Sequence, residues 1–151
     1  MQRRKFLSVS AATLAVASVV PSALSATDFR AAAPAAWEAA NSADAIKAMF
    51  GDVAMVEGGI DMKAPKLAEN GGAVPIGIKS DLDLESIALF QDANPRSAVV
   101  VFDLPAGTKA DVMTKIKMRK TADVTVVAKG RDGKVYKAVQ KVEVSIGGCG
   151  G

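Results

Sequence analysis

Hydrophobic and polar positions change their spacing once along the chain. Residues 28–50 are rich in alanine and carry helical spacing: Ile46, Met49 and Phe50 fall on one face, Ser42 is placed to cap and Gly51 to stop. Pro34 is placed to open a turn of helix, and Trp37, nine residues before Ile46, is expected to anchor this segment onto the core. From Met55 the period becomes two, and turn residues recur at short intervals. Ile60, Met62 and Ala64 alternate with Asp61 and Lys63; Val74 to Ile78 follows the turn Asn70-Gly71-Gly72. Ser86 to Gln91 and Ser97 to Leu104 flank Asn94-Pro95, and Val112 to Arg119 comes next. Asp123 to Lys129 and Lys134 to Ile146 close the series around Gly130-Arg131-Asp132-Gly133. Seven short strands so spaced predict an all-β, immunoglobulin-like antiparallel sandwich over residues 55–146, preceded by a helical segment over 27–54.

Residues 1–26 have the layout of an export signal: a cationic start, an apolar stretch from Ala11 to Val20, and small residues around Ala23, Ser25 and Ala26. The apolar stretch is shorter than the roughly 20 residues needed to span a bilayer, and no retained anchor is expected. Arg3-Arg4-Lys5-Phe6-Leu7 resembles the twin-arginine motif, carried by Arg3, Arg4, Phe6 and Leu7. The alternative is an ordinary Sec signal that carries two arginines. The Phe-Leu pair and the weak, Ala-rich apolar region favour twin-arginine (Tat) export of a folded protein to the bacterial periplasm.

Charge changes little once this segment is set aside. The chain has 19 Lys and Arg against 16 Asp and Glu, and the surplus of three is Arg3, Arg4 and Lys5. The rest is balanced, so the basic overall charge gives no support for a nucleic-acid partner. Chemistry is narrowed further by the absence of histidine, which removes His-containing zinc sites, Ser-His-Asp triads and Cys-His dyads. A single cysteine excludes an intrachain disulfide and a Cys-ligated metal cluster.

That cysteine, Cys149, lies in Gly147-Gly148-Cys149-Gly150-Gly151. A lone cysteine is usually a small core residue. Four glycines, however, offer no side chains for packing and lose much entropy on ordering, so residues 147–151 are expected to form a mobile arm. Three residues past Ile146, the thiol reaches roughly 10 Å beyond the sandwich. A nucleophile of the chain's own would need a rigid site and a base. A tethered, unhindered thiol is suited to being worked upon by other proteins.

The Gly-Gly-Cys-Gly-Gly terminus, the twin-arginine leader and the strand pattern resemble the SoxY family, sulfur carriers of periplasmic thiosulfate oxidation. Ala68-Glu69-Asn70-Gly71, Val74-Pro75 and Asn94-Pro95 are also similar to that family, while Lys66 stands where an acidic residue is expected. The resemblance implies that Cys149 carries thiosulfate-derived groups, with Gly147, Gly148, Gly150 and Gly151 as its arm, and that the chain is not itself an enzyme. It implies no cofactor or metal of the carrier's own. Expected partners are a SoxZ-like β-sandwich subunit forming a heterodimer, a c-type haem conjugating enzyme, a manganese hydrolase that releases sulfate, and a molybdenum sulfur dehydrogenase. The chemistry suits a thiol, because sulfur forms S–S links and climbs oxidation states while attached.

Other readings remain beside it. A structural periplasmic sandwich would use the cysteine for an intermolecular disulfide, a ubiquitin-like carrier would use its terminal carboxylate, and a thiol enzyme would act alone. Among weaker signals, Lys115, Lys117 and Arg119 share one face of a strand and are expected to be a solvated face, with anion steering as the sharper alternative. Asp81, Asp83 and Glu85 alternate similarly, but Ser86 occupies the position where a calcium loop needs glycine, so no metal site is expected. The methionines are read as core residues.

Overall fold

The computed structural model describes residues 26–146. Its first part is three short helices, α1 (Phe29–Ala32), α2 (Pro34–Glu38) and α3 (Ser42–Phe50), where the spacing predicted one helical stretch. Proline disfavours helical dihedrals in the preceding residue, and Ala33 is accordingly extended in φ at −140°, breaking α1 from α2. Asn41 rather than Ser42 caps α3, its side chain accepting from the Asp44 N–H at 2.9 Å. Ser42 instead donates through N and Oγ to Asp92, at 2.7 and 2.8 Å, tying α3 to the sheet below. Gly51, with φ of 82°, ends α3 by donating its N–H to the Lys47 carbonyl at 2.9 Å.

Trp37 is not the anchor expected of it. It is half-buried, donates Nε1 to the Phe29 carbonyl at 3.1 Å, and holds the Arg30 guanidinium 4.4 Å from its ring centroid. It clamps α1 to α2, while the fully buried Ala36, Ala45 and the nearly buried Ile46 provide the close packing of the helical segment.

Nine strands follow: β1 (Met55–Glu57), β2 (Asp61–Lys63), β3 (Leu67–Asn70), β4 (Val74–Ser80), β5 (Leu84–Gln91), β6 (Ala98–Asp103), β7 (Ala110–Ile116), β8 (Ala122–Gly130) and β9 (Val135–Ile146). They form a six-stranded sheet in the order β1-β9-β8-β5-β6, with β3 also on β9, and a three-stranded sheet in the order β2-β4-β7. The expected antiparallel sandwich is present, with two short strands added. β1 and β3 both pair parallel to β9, at its start and at its end, because the chain leaves that edge after Glu57 to form β2 on the other sheet and then returns.

The core lies between the sheets. Val74, Ile76 and Ile78 of β4 face Ile87 and Leu89 of β5 and Val124 and Val126 of β8, all excluded from solvent. Burying each such side chain contributes about 1.5–3 kcal/mol. β5 is buried on both faces, since Ala88 and Phe90 point outward into a second cluster under α3 with Ala45, Ile46, Val127 and Val135. The helices therefore cover the outer face of the six-stranded sheet. Among the described residues the outer face of the three-stranded sheet has no such cover, and Met113 stands on it 80% exposed.

Candidate functional site

Cys149 and its four glycines lie outside the described residues, as do Arg3, Arg4, Phe6 and Leu7. The site is therefore approached from the point where the described chain delivers the tail. β9 ends at Ile146, whose backbone is in register with Asn70 of β3. A parallel strand on one side and β8 on the other fix the last turn-free stretch of chain, with Ala122 opposite Val142. Cys149 is the third residue past this fixed point.

The loops at that end are joined by side chains rather than by strand pairing. Gln91, 1% exposed, accepts through Oε1 from the N–H groups of Ala93 and Asn94 at 2.6 and 2.9 Å and donates Nε2 to the Arg96 carbonyl at 2.9 Å. The β5–β6 loop is thereby fixed. From it, Asn94 donates Nδ2 to the Lys117 carbonyl at 2.7 Å and accepts the Arg119 N–H at 3.1 Å. Met118, fully buried, donates its N–H to the Gly71 carbonyl at 2.8 Å. Thr121 accepts the Val144 N–H at 2.9 Å, two residues before β9 ends. Asn70 shapes its own turn by accepting the Gly72 N–H at 2.7 Å.

This network changes the expected course of residues 112–119. β7 stops at Ile116, because Lys117 and Met118 turn their backbone groups to Asn94 and Gly71 instead of to β4. Lys115, Lys117 and Arg119 are nonetheless all exposed, as their alternation predicts. Gln91, Thr121 and the bridging role of Asn94 were not signalled by strand periodicity; only the Asn94-Pro95 pair stood out in the sequence.

The remaining charged groups do not gather into a reactive centre. Asp83 pairs with Arg131 at 3.2 Å and Glu85 with Lys129 at 2.8 Å, and among the described residues no three metal-ligating side chains come together. At the end remote from the tail, the Tyr136 hydroxyl donates to Asp132 at 2.6 Å. That bond, helped by the Lys134 N–H, holds the Asp132 carboxyl below its ordinary pKa and pushes the Tyr136 phenol above its own. An open depression of about 370 Å³ is at that remote end too, between Asp61, Lys79, Lys109 and Asp111.

Comparison with known proteins places this architecture. The sequence model for sulfur oxidation protein SoxY matches residues 46–149, which includes the cysteine and most of the chain. The chain belongs to the SoxY family. The structure of the sulfur carrier protein SoxY from Chlorobium limicola f. thiosulfatophilum superposes with a TM-score of 0.62 at 37% identity, covering 69% of this chain and 96% of that one. A superoxide reductase (neelaredoxin) from Ignicoccus hospitalis superposes with a TM-score of 0.52 at 13% identity, covering 58% of this chain and 80% of that one. A putative superoxide reductase from Thermotoga maritima gives 0.52 at 14%, covering 60% and 93%. These two show that the sandwich is shared and nothing more. Among curated protein sequences there is no significant match. As a SoxY protein the chain is a non-catalytic sulfur carrier that binds sulfur intermediates through a cysteine.

Proposed function

We propose that Cys149 is the attachment point of that carrier, and that Gly147, Gly148, Gly150 and Gly151 form the arm that presents it. The observation that carries this reading is that the one thiol of the chain falls within the family match, three residues past the fixed end of β9. Glycines on either side leave no bulky neighbour to block a narrow pocket on another protein. The chemistry is a sequence of exchanges at one sulfur. Two electrons are withdrawn by a partner as the Cys149 thiolate and thiosulfate join in an S–S bond; hydrolysis then releases sulfate and leaves a persulfide. The outer sulfur is oxidised in place and hydrolysed off, which returns the thiol.

Each exchange needs an enzyme that the carrier does not contain. The partners of this reading are a c-type haem conjugating enzyme, a manganese hydrolase and a molybdenum sulfur dehydrogenase, with a SoxZ-like sandwich as the heterodimer subunit. The place is the periplasm, reached folded by the Tat route through Arg3, Arg4, Phe6 and Leu7. A strain whose only copy carries Cys149→Ser tests the reading. It is expected to make and export the protein but to lose thiosulfate oxidation; unimpaired oxidation would overturn it. Non-reducing electrophoresis of the wild-type protein separates the structural alternative, for which a permanent disulfide-linked dimer is expected.

A further inference from the structure

The outer face of the three-stranded sheet is graded in charge along its strands. The row farthest from the tail, Asp61-Lys79-Asp111, is mixed, and Lys79 pairs with Asp111 at 3.0 Å. The middle row is Lys63-Gly77-Met113, and the row nearest the tail is Pro75-Lys115. Beyond it come Lys117, Arg119 and Lys120, all exposed. None of Lys115, Lys117, Arg119 and Lys120 has an ion-pair partner among the described residues, whereas Lys79, Arg96, Lys129 and Arg131 do. Across the same end, the six-stranded side carries Glu69, Asp123 and Glu143 among Lys66 and Lys141. One side of the tail's root is thus mixed in sign and the other is cationic alone.

The backbone that carries these cations is also tied to the end of β9 and its neighbouring loops. Asn94 brackets Lys117 and Arg119, Gly71 holds Met118, and Thr121, next to Lys120, is bonded to Val144 of β9. From Ile146, the paired end of β9, Cys149 is three residues on, a reach of roughly 10 Å that matches the spacing of about 10 Å between packed sheets. The thiol can therefore be brought beside the cationic side without any change in the sandwich. Like charges left unneutralised raise the local concentration of small anions over about a Debye length, some 8 Å at physiological salt.

We propose that Lys115, Lys117, Arg119 and Lys120 form an anion-guiding patch that draws small sulfur oxyanions to the Cys149 thiol. The proposal rests on Cys149 being the carrier residue. The test compares two disulfide reagents on the purified protein, whose single cysteine makes the reacting group unambiguous. One is dianionic, 5,5′-dithiobis(2-nitrobenzoate), and one is neutral, 4,4′-dithiodipyridine. In both, the thiolate attacks one sulfur, a mixed disulfide forms and an aryl thiolate leaves. Any change in the fraction of thiolate enters both rates alike, so their ratio reports on the charge of the reagent.

Changing Lys115, Lys117, Arg119 and Lys120 together to Gln is expected to lower the anionic-to-neutral rate ratio roughly three- to tenfold in low salt. The difference is expected to fall below about twofold at 0.5 M salt. Changing Lys134 and Lys137 to Gln, at the remote end of β9, is expected to leave the ratio unaltered. An unchanged ratio in the fourfold variant, or an equal drop in the remote one, overturns the patch while the carrier reading stands. A thiol inert to both reagents overturns the two together.

Discussion

The two ends of the sandwich are held together by different means. At the end remote from the tail, charges are met by opposite charges, Lys79 with Asp111, Arg131 with Asp83 and Lys129 with Glu85, and Asp132 accepts a hydrogen bond from the Tyr136 hydroxyl. At the tail's root the loops are joined mainly by neutral amide and hydroxyl groups, Gln91, Asn94 and Thr121; Arg96 there pairs with Glu38, but Lys115, Lys117, Arg119 and Lys120 have no ion-pair partner among the described residues. Exposed ion pairs contribute only about 0–1 kcal/mol each, whereas buried side-chain bonds to backbone are costly to orphan. The difference teaches that the β7–β8 loop at the working end is made rigid without spending the positive charge of Lys117 and Arg119.

The comparison breaks first at Cys149. Replacing it with Ser is expected to abolish sulfur loading completely, yet to leave the thermal unfolding transition where it was, as differential scanning calorimetry would show. A clear loss of stability would mean that the tail belongs to the fold and not only to function. Next in size is Gln91→Leu, which orphans two N–H groups and a carbonyl of the β5–β6 loop. A loss of about 2–4 kcal/mol is expected in denaturant unfolding. Asn94→Ala should cost less, about 1–2 kcal/mol, because Asn94 is partly solvated; faster amide exchange at Arg119 is its local signature.

Tyr136→Phe probes the other end and has the smallest effect. The lowered Asp132 pKa means that its ionised form is stabilised by folding, so the contribution is complete above the ordinary value of 3.8. It is lost as pH falls through the lower folded value. The variant is therefore expected to melt below the wild type at neutral pH, with the gap closing in acid. A gap that widened in acid would refute the assignment.

Strand periodicity made most of the sandwich legible, because β4, β5, β8 and β9 alternate or run apolar long enough to fix their type. β1 and β3 were not legible as strands: each is short, and β3 turns only Ala68 inward, so no period can form. The helical segment was recognised, but its breaks follow from Pro34 acting on Ala33 and from Asn41 taking the cap that Ser42 was expected to supply. Trp37 misled because helical spacing gives a direction and not a neighbour; the ring meets Arg30 and Phe29. At the site, the glycine setting of Cys149 is local and could be read directly. The bonds that fix Lys117 and Arg119 join residues 23 and 25 apart in sequence, so no local pattern records them.

The most direct test of Cys149 as the loaded residue is intact-protein and peptide mass spectrometry of the periplasmic protein taken from cells oxidising thiosulfate. A thiosulfonate or persulfide adduct on the peptide containing Cys149, and none in a Cys149→Ser strain, is the predicted result. Adducts that persist without Cys149, or an unloaded Cys149 during active oxidation, would contradict the account.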